Sequence, residues 1–328
     1  MNLPLLTIGV LSWNRLHYLR ATLESARRCI QYPNLQWIVV DNVSEEPGLA
    51  DYLKSCDWID ELIFLRSDHV TAMNEIIARA RGEAVLLWPD DMQFIVAGDW
   101  MTDCLEILRQ NEWIGSVGLN CLRRTTLEKT FNAPVWRQIR PVLTEFKWFG
   151  TKFRVPSQVS STRGFTLRTF GWNEDGIVQS GIPSLTRTSV WKALGPWKAP
   201  GATSLNDSSG GGELEMLARW RNSGLPLQRA ITVLPVAADI LTDPLGTKAK
   251  VRKNVRYGLY APPPEGTFYY EILPQPKAEA QLHGSLPLAF EEFVQPLGFN
   301  LPLDGQGNLL KTGLNPEIVQ EIVSGTTE

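Results

Sequence analysis

Two adjacent acids, Asp90 and Asp91, close an apolar run at residues 83–88. Side-by-side carboxylates at the end of a buried strand repel each other, and a divalent cation relieves that repulsion. Such ions take one or two carboxylates and fill their coordination with other oxygens. The plainer use of the pair is to cap the turn or helix that follows. Asn14 and Asp41 stand just beyond two other apolar runs, at 5–11 and 35–40. Glu213 follows the turn Gly210-Gly211-Gly212 and opens a helical pattern. There the helix dipole holds a carboxylate ionised and ready to accept a proton. Glu215 lies two positions on, about 200° around a helix, so the two acids cannot face one partner equally. Asp207 and Asp175 stand in reserve, and an ordinary acidic first turn is the alternative reading. The four cysteines (Cys29, Cys56, Cys104, Cys121) and three histidines (His17, His69, His283) are scattered, which argues against a disulfide scaffold and a Cys/His zinc site.

The elements that must position these residues read as alternating strand and helix. Apolar runs at 5–11, 35–40, 61–65, 83–88 and 114–119 predict strands buried on both faces. Helical spacing joins them: Leu16, Leu19, Leu23 and Ala26; a weaker helix at 48–54; Ala72, Ile76, Ile77 and Ala80, stopped by Gly82; and residues 100–110. Strands separated by helices of about ten residues imply crossovers and a largely parallel sheet. Ligands then bind beyond the carboxyl ends of the strands, where Asn14, Asp41 and Asp90-Asp91 fall. No glycine-rich phosphate loop follows the first strand, which counts against dinucleotide and P-loop folds. Residues 120–180 read as loops and short strands. Order resumes at 177–197, with a helix at 213–222 and a late strand at 230–237. Beyond Asp239, prolines recur and predict an extension wrapped on the core.

The 328 residues carry 32 Lys/Arg against 35 Asp/Glu, a net charge of −3, with 43% hydrophobic residues. The chain can bury a substantial core, and it lacks the basic excess of a general nucleic-acid binder. The charge is uneven: 9 cations face 17 acids in residues 1–120, and 10 face 2 in residues 121–170. The basic middle is also aromatic and suits an anionic partner, a sugar face or a peripheral membrane contact, or else a solvated segment lying on the acidic first part. No uncharged apolar run approaches the ~20 residues of a membrane span. The amino terminus does not read as a signal peptide. A cytoplasmic location is expected.

Six segments, in order, resemble the inverting nucleotide-sugar glycosyltransferases of family 2, which have the GT-A fold. Thr7 to Arg15 resembles the family's opening strand and tyrosine-asparagine turn, with Trp13 for the tyrosine. Trp37 to Ser44 resembles its second strand, ending in an aspartate and a serine. Ala72 to Gly82 and Val85 to Asp91 resemble the helix and strand that lead to the metal site. Gly181 to Arg187, with Leu194-Gly195-Pro196-Trp197, resembles the acceptor-side segment. Gly212-Glu213-Leu214-Glu215-Met216-Leu217-Ala218-Arg219, with Gly224 five residues on, follows the spacing of the base-bearing helix. Two departures stand there: Gly212 replaces the first acid, and Glu213 replaces the usual aspartate. The likeness covers roughly residues 3–237.

The resemblance implies an α/β fold of GT-A type, a Rossmann-like and mostly parallel central sheet flanked by helices. Residues 1–119 would form the nucleotide-sugar-binding half, 120–238 the acceptor-binding half with the base, and 239–328 an extension packed on the core. Asp91 would be the direct ligand of Mn²⁺ or Mg²⁺, and Asp90 would meet the donor's ribose or sugar. Met92 stands where a third acid is common. Trp13, Asn14, Arg15, Asp41 and Asn74 would serve the donor. Asp41 can accept the N3–H of uracil, which favours a UDP-sugar, although a guanine N1–H also suits it. Trp13 offers a stacking face or is core. Arg15 serves the phosphates or a surface pair. The run Lys248 to Arg256 would cover the diphosphate, form a solvated loop or touch an anionic membrane, and His283 is a remoter late metal ligand. Gln228-Arg229-Ala230 departs from the processive synthases' signature, so transfer of a single sugar to a carbohydrate or glycan acceptor is expected. Alternatives are a nucleotidylyltransferase acting on a sugar phosphate, whose glycine-rich opening loop is missing here, and a non-catalytic carbohydrate-binding relative.

Overall fold

The computed structural model describes residues 3–90, 92–122, 147–148, 151–152, 158–169, 183–198, 213–225, 228–239 and 272–275. The chain runs β1 (Leu6–Ser12), α1 (Leu16–Cys29), β2 (Leu35–Asp41), α2 (Leu49–Ser55), β3 (Glu61–Phe64), α3 (His69–Arg79) and β4 (Ala84–Pro89). Next come β5 (Met92–Phe94), β6 (Val96–Ala97), α4 (Trp100–Gln110) and β7 (Ile114–Leu122). Short strands follow, β8 (Lys147–Trp148), β9 (Thr151–Lys152), β10 (Gln158–Ser160), β11 (Thr166–Thr169) and β12 (Ser184–Arg187). Then come α5 (Thr188–Leu194), α6 (Glu213–Asn222), β13 (Gln228–Asp239) and β14 (Leu273–Pro274).

Among the described residues the main sheet has ten strands in the order β10-β11-β13-β7-β12-β4-β1-β2-β3, with β5 on the end of β13. Strands β13, β7, β4, β1, β2 and β3 share one direction. Between β4 and β7 lies β12, antiparallel to both, with Leu185 opposite Leu86 and Val117. This strand was not expected from an apolar run, because alternate positions are Ser184 and Thr186. Ser116 and Thr186 satisfy each other across the ladder at 2.9 Å.

Both faces of the sheet are covered. Leu6, Ile8 and Val10 of β1, with Leu86 and Trp88 of β4, pack under α1 and α4. On the other face Ile38, Val40, Val85 and Leu87 pack under α3, α5 and α6. Gly9 of β1 lets α3 come close, since a Cβ there would stand 2.4 Å from Ile76 Cγ2. Strand order reverses between β1 and β4, because the chain passes outward to β2 and β3 before returning to the other side of β1. Open α/β sheets hold ligands at such a reversal, beyond the carboxyl ends of the strands.

The opposite, amino edge is tied shut by side chains. Thr7 Oγ1 donates to Gln36 Oε1 at 2.7 Å and accepts the Gly82 N–H at 2.9 Å. Gln36 Oε1 also accepts the Arg81 N–H at 2.9 Å. Gly82 has no room for more: a Cβ would lie 2.4 Å from the Thr7 backbone nitrogen. Backbone cannot step aside as a side-chain end does, so Gly82→Ala is expected to cost about 1–3 kcal/mol. Urea unfolding would show this as a lower midpoint with an unchanged slope.

Candidate functional site

The carboxyl edge gathers the polar groups that the strands themselves exclude. Asp41 ends β2 with no exposed surface, and a buried charge persists only when hydrogen-bonded. Its Oδ2 accepts from Ser12 Oγ at 2.8 Å and Ser44 Oγ at 2.6 Å, and its Oδ1 accepts the Ser44 N–H at 2.7 Å. Ser12 and Asp41 are register partners in the parallel pair of β1 and β2. Ser44 Oγ in turn accepts the Asn14 N–H at 2.7 Å. Asn14 Oδ1 accepts the N–H groups of Glu45 and Glu46 at 3.0 and 3.3 Å. Glu46 then supplies α1 with the cap that Arg15 lacks, its Oε2 accepting the Leu16 N–H at 2.8 Å. The loops after β1 and β2 thus form one polar unit around one carboxylate.

That unit is strained. Among the described residues the non-glycine positions with positive φ are Asn14 at 53°, Arg15 at 66° and Val43 at 48°. Asparagine tolerates this region, whereas a β-branched valine there is a true outlier. All three lie on the carboxyl edge. Strain of this kind persists where surrounding contacts over-determine it, and it clusters at ligand clamps.

Asp90 closes the other side of the strand-order reversal and is buried. Its carboxylate pairs with the Arg15 guanidinium and accepts the Trp13 N–H at 3.3 Å. Its carbonyl accepts from Thr22 Oγ1 at 2.9 Å. Asp90 therefore binds the end of β4 to the turn after β1. The same turn turns Trp13 outward: its side chain is 37% exposed and is not core. Asp91 lies outside the described residues. The backbone of Asp239, at the end of β13, is in register with Met92, one residue past Asp91. Sequence reading passed over Asp239, although the rule that selected Asp41, an acid ending an apolar strand, applies to it equally.

Asn74, in the middle of α3, makes a two-way amide pair with Trp197: Nδ2 donates to the Trp197 carbonyl at 3.0 Å, and Oδ1 accepts the Trp197 N–H at 2.8 Å. The start of α3 faces the carboxyl edge. Ser67 donates its N–H to Asn42 Oδ1 at 2.7 Å, while its buried Oγ has no partner among the described residues. Asp68 caps α3 by accepting the Thr71 N–H at 2.7 Å.

On the acceptor side, Glu213 is the first residue of α6, and its side chain lies outside the described set. Glu215 is buried, with Arg219 Nε and Lys198 Nζ at 2.7 and 3.3 Å from Oε1 and Arg219 Nη2 at 2.7 Å from Oε2. Asp175, Asp207, His283, segment 248–256 and most of segment 121–170 fall outside the described residues. Burial pushes the Cys29 and Cys104 thiols far above their ordinary range, so neither serves as a thiolate. No group of three or more His, Cys, Asp or Glu side chains that could hold a metal occurs among the described residues. No helix among them is long and apolar enough to cross a membrane.

Residues 7–165 match the sequence profile described as "Glycosyl transferase family 2". The match ends before α6. The "Uncharacterized protein y4gI" of Sinorhizobium fredii (strain NBRC 101917 / NGR234) is 32% identical over 120 residues, 35% of this chain and 13% of that protein. Among solved structures, "Mannosyltransferase PcManGT from Pyrobaculum calidifontis in complex with GDP-Man and Mn2+" is 16% identical with a TM-score of 0.48, covering 76% of this chain and 61% of that one. "Crystal structure of S. aureus TarS 1-349 in complex with UDP-GlcNAc" is 13% identical with a TM-score of 0.45, covering 71% and 57%. The chain thus spans about an eighth of the curated relative and about three fifths of these two structures.

Two outcomes follow from this geometry. Ser44→Ala strands the Asn14 N–H and removes one donor from the buried Asp41 carboxylate, so it is expected to cost about 1–3 kcal/mol in denaturant unfolding. Hydrogen bonds from Thr71, side chain first and backbone next, hold the Asp68 carboxylate below its usual range. Its contribution is therefore present above the ordinary aspartate pKa and is lost as pH falls through the lowered value. Asp68→Ala should lower stability by about 0.5–1 kcal/mol at pH 7. The gap between variant and parent should close on acidification through that lowered value.

Proposed function

We propose that this chain, which carries a glycosyltransferase family 2 domain of GT-A type over residues 7–165, transfers a single sugar from a nucleotide-diphosphate sugar to an acceptor hydroxyl with inversion. The observation that carries the reading is the polar unit at the strand-order reversal, where Asp41, Asn14, Arg15 and Asp90 converge from the ends of three strands, next in sequence to an exposed Trp13. Stacking on Trp13 and an N–H accepted by Asp41 suit a nucleobase, and uracil fits this pair. Asp41 Oδ1 accepts one bond among the described residues, so a nucleobase N–H has an acceptor there once the loops over this buried carboxylate move aside. Arg15 lies within the same unit and is suited to meet the diphosphate once a donor displaces its pairing with Asp90. Asn74 acts on this reading through the strap at Trp197, which it holds by both backbone groups.

The reaction forms a bond from the acceptor oxygen to the anomeric carbon and breaks the bond from that carbon to the diphosphate. Glu213, opening α6, takes the acceptor hydroxyl's proton, and the nucleoside diphosphate leaves with the bonding electron pair. Hard carboxylate oxygens are the right donors for Mn²⁺ or Mg²⁺. Asp91 is the residue that would hold the ion, and the backbone of Asp239 is in register with the next residue, Met92. When bound, the ion supplies Lewis-acid stabilisation to the charge on the leaving diphosphate.

A thermal-shift panel of UDP-, GDP- and dTDP-sugars with and without Mn²⁺ tests the donor. Metal-dependent stabilisation by one class, UDP-sugars foremost, is expected. A flat panel would move the chain to the carbohydrate-binding class, and release of pyrophosphate in place of nucleoside diphosphate would make it a nucleotidylyltransferase. Glu213→Gln should abolish transfer, by at least about a thousandfold, while the donor-induced thermal shift survives. Full activity in that variant would remove Glu213 from the mechanism.

A further inference from the structure

Two acids open α6, and only one can be the base. Glu215 has both carboxylate oxygens occupied by cations, Arg219 on both and Lys198 on one. Arg219 does more than neutralise it. Its Nη1 donates to the Leu194 carbonyl at 2.6 Å and its Nη2 to the Pro196 carbonyl at 2.8 Å. Those carbonyls flank the end of α5, where Gly195 turns the chain at a φ of 75°. The next residue, Trp197, is the one held by Asn74 of α3 through both of its backbone groups. Trp197 and Trp220 of α6 both pack on Trp191, with ring centroids 5.4 and 6.0 Å away. A continuous chain of contacts thus runs from α3, through the strap 194–198, to α6.

The direction of that chain matters. Thr188 opens α5 at the amino edge, with its hydroxyl on the Gly82 carbonyl at 2.6 Å and its N–H on the Glu83 carbonyl at 3.0 Å. From there α5 and the strap climb towards the carboxyl edge. Arg219 meets the strap at Leu194 and Pro196, whereas Glu215, one turn earlier in α6, meets it at Lys198. The strand after α6, β13, begins opposite Ile114 at the amino edge, so a helix that runs back to it has its first turn towards the carboxyl edge.

We infer that Glu215 is a positioning residue, and that the chain Asn74, Trp197, Arg219 and Glu215 is a clamp that fixes the amino end of α6 against the donor-bearing edge. On the transfer reading, on which this rests for its catalytic meaning, the clamp sets where Glu213 stands relative to the donor. An arginine that spans one carboxylate and two carbonyls is suited to this, because its planar fork fixes direction as well as distance.

Two measurements on the full chain test it. The first is amide hydrogen exchange across residues 213–218, compared in the parent, Asn74→Ala and Glu215→Gln. Exchange in that turn should speed up at least about tenfold in both variants, with β1, β2 and β4 unchanged. If Asn74→Ala does not fold, Arg219→Lys, which keeps the charge but loses the fork, takes its place. The second is the pH dependence of nucleoside diphosphate release. Glu215→Gln and Asn74→Ala should lower kcat about tenfold, hold the donor KM within about twofold and keep the acid limb of the profile. Glu213→Gln should lose that limb. Loss of the limb in Glu215→Gln would make Glu215 the base and overturn the proposal. Parent-like exchange and kcat in Asn74→Ala would overturn it too, by showing that the contacts do not reach α6. Faster exchange in a chain that turns over no UDP-, GDP- or dTDP-sugar would support the clamp and remove only the transfer reading.

Discussion

A strand buried on both faces can offer chemistry only at its ends. Helices cover β1 above and below, and β2 and β4 flank it, so its side chains are spent on packing. The one polar side chain along its interior, Thr7, is spent on tying the amino edge. Function is thereby pushed to the carboxyl edge, where the chain leaves each strand. There the strand order reverses, the place where open α/β sheets hold ligands.

The carboxyl edge is organised by the cost of burying charge. Asp41 and Asp90 are both taken out of water, which would be prohibitive without partners. The partners are recruited from the loops themselves: serine hydroxyls, amide N–H groups and one guanidinium. Satisfying the two carboxylates therefore fixes the loops, and the loops accept left-handed backbone at Asn14, Arg15 and Val43 as the consequence. Rigidity at the site and strain in its backbone have a single origin. It also explains why Trp13, beside so much buried polarity, is held outward with its ring available.

How far the sequence discloses this depends on the range of each interaction. Repeating apolar runs with helical spacers disclose β1, β2, β4, α4 and α6, because burial on both faces leaves a continuous local signature. The parallel sheet follows from spacer length, and the acids at strand ends follow from both. What is not legible is anything set by a partner distant in the chain. Four residues of β12 carry no run of their own and are drawn into the sheet by Leu86 and Val117. Nothing around Asn74 announces that its amide is engaged 123 residues away. Nor does the spacing of Glu213 and Glu215 say which acid meets Arg219. In sequence Ser12 only interrupts the apolar run at 5–11, and its role as a donor to Asp41 depends on the register between β1 and β2.

The insertion of β12 also bears on how the chain is made. During synthesis β4 and β7 emerge well before residues 184–187, so for some sixty residues they have no strand between them. Each then presents an unpaired ladder of apolar sequence, the kind of edge that recruits foreign strands. Closing that slot requires contacts between residues about seventy to a hundred positions apart, and such distant pairings form slowly. The nascent first half is accordingly the aggregation-prone stage of this protein's life, and a polypeptide cut at residue 165, where the family match ends, would be held at that stage.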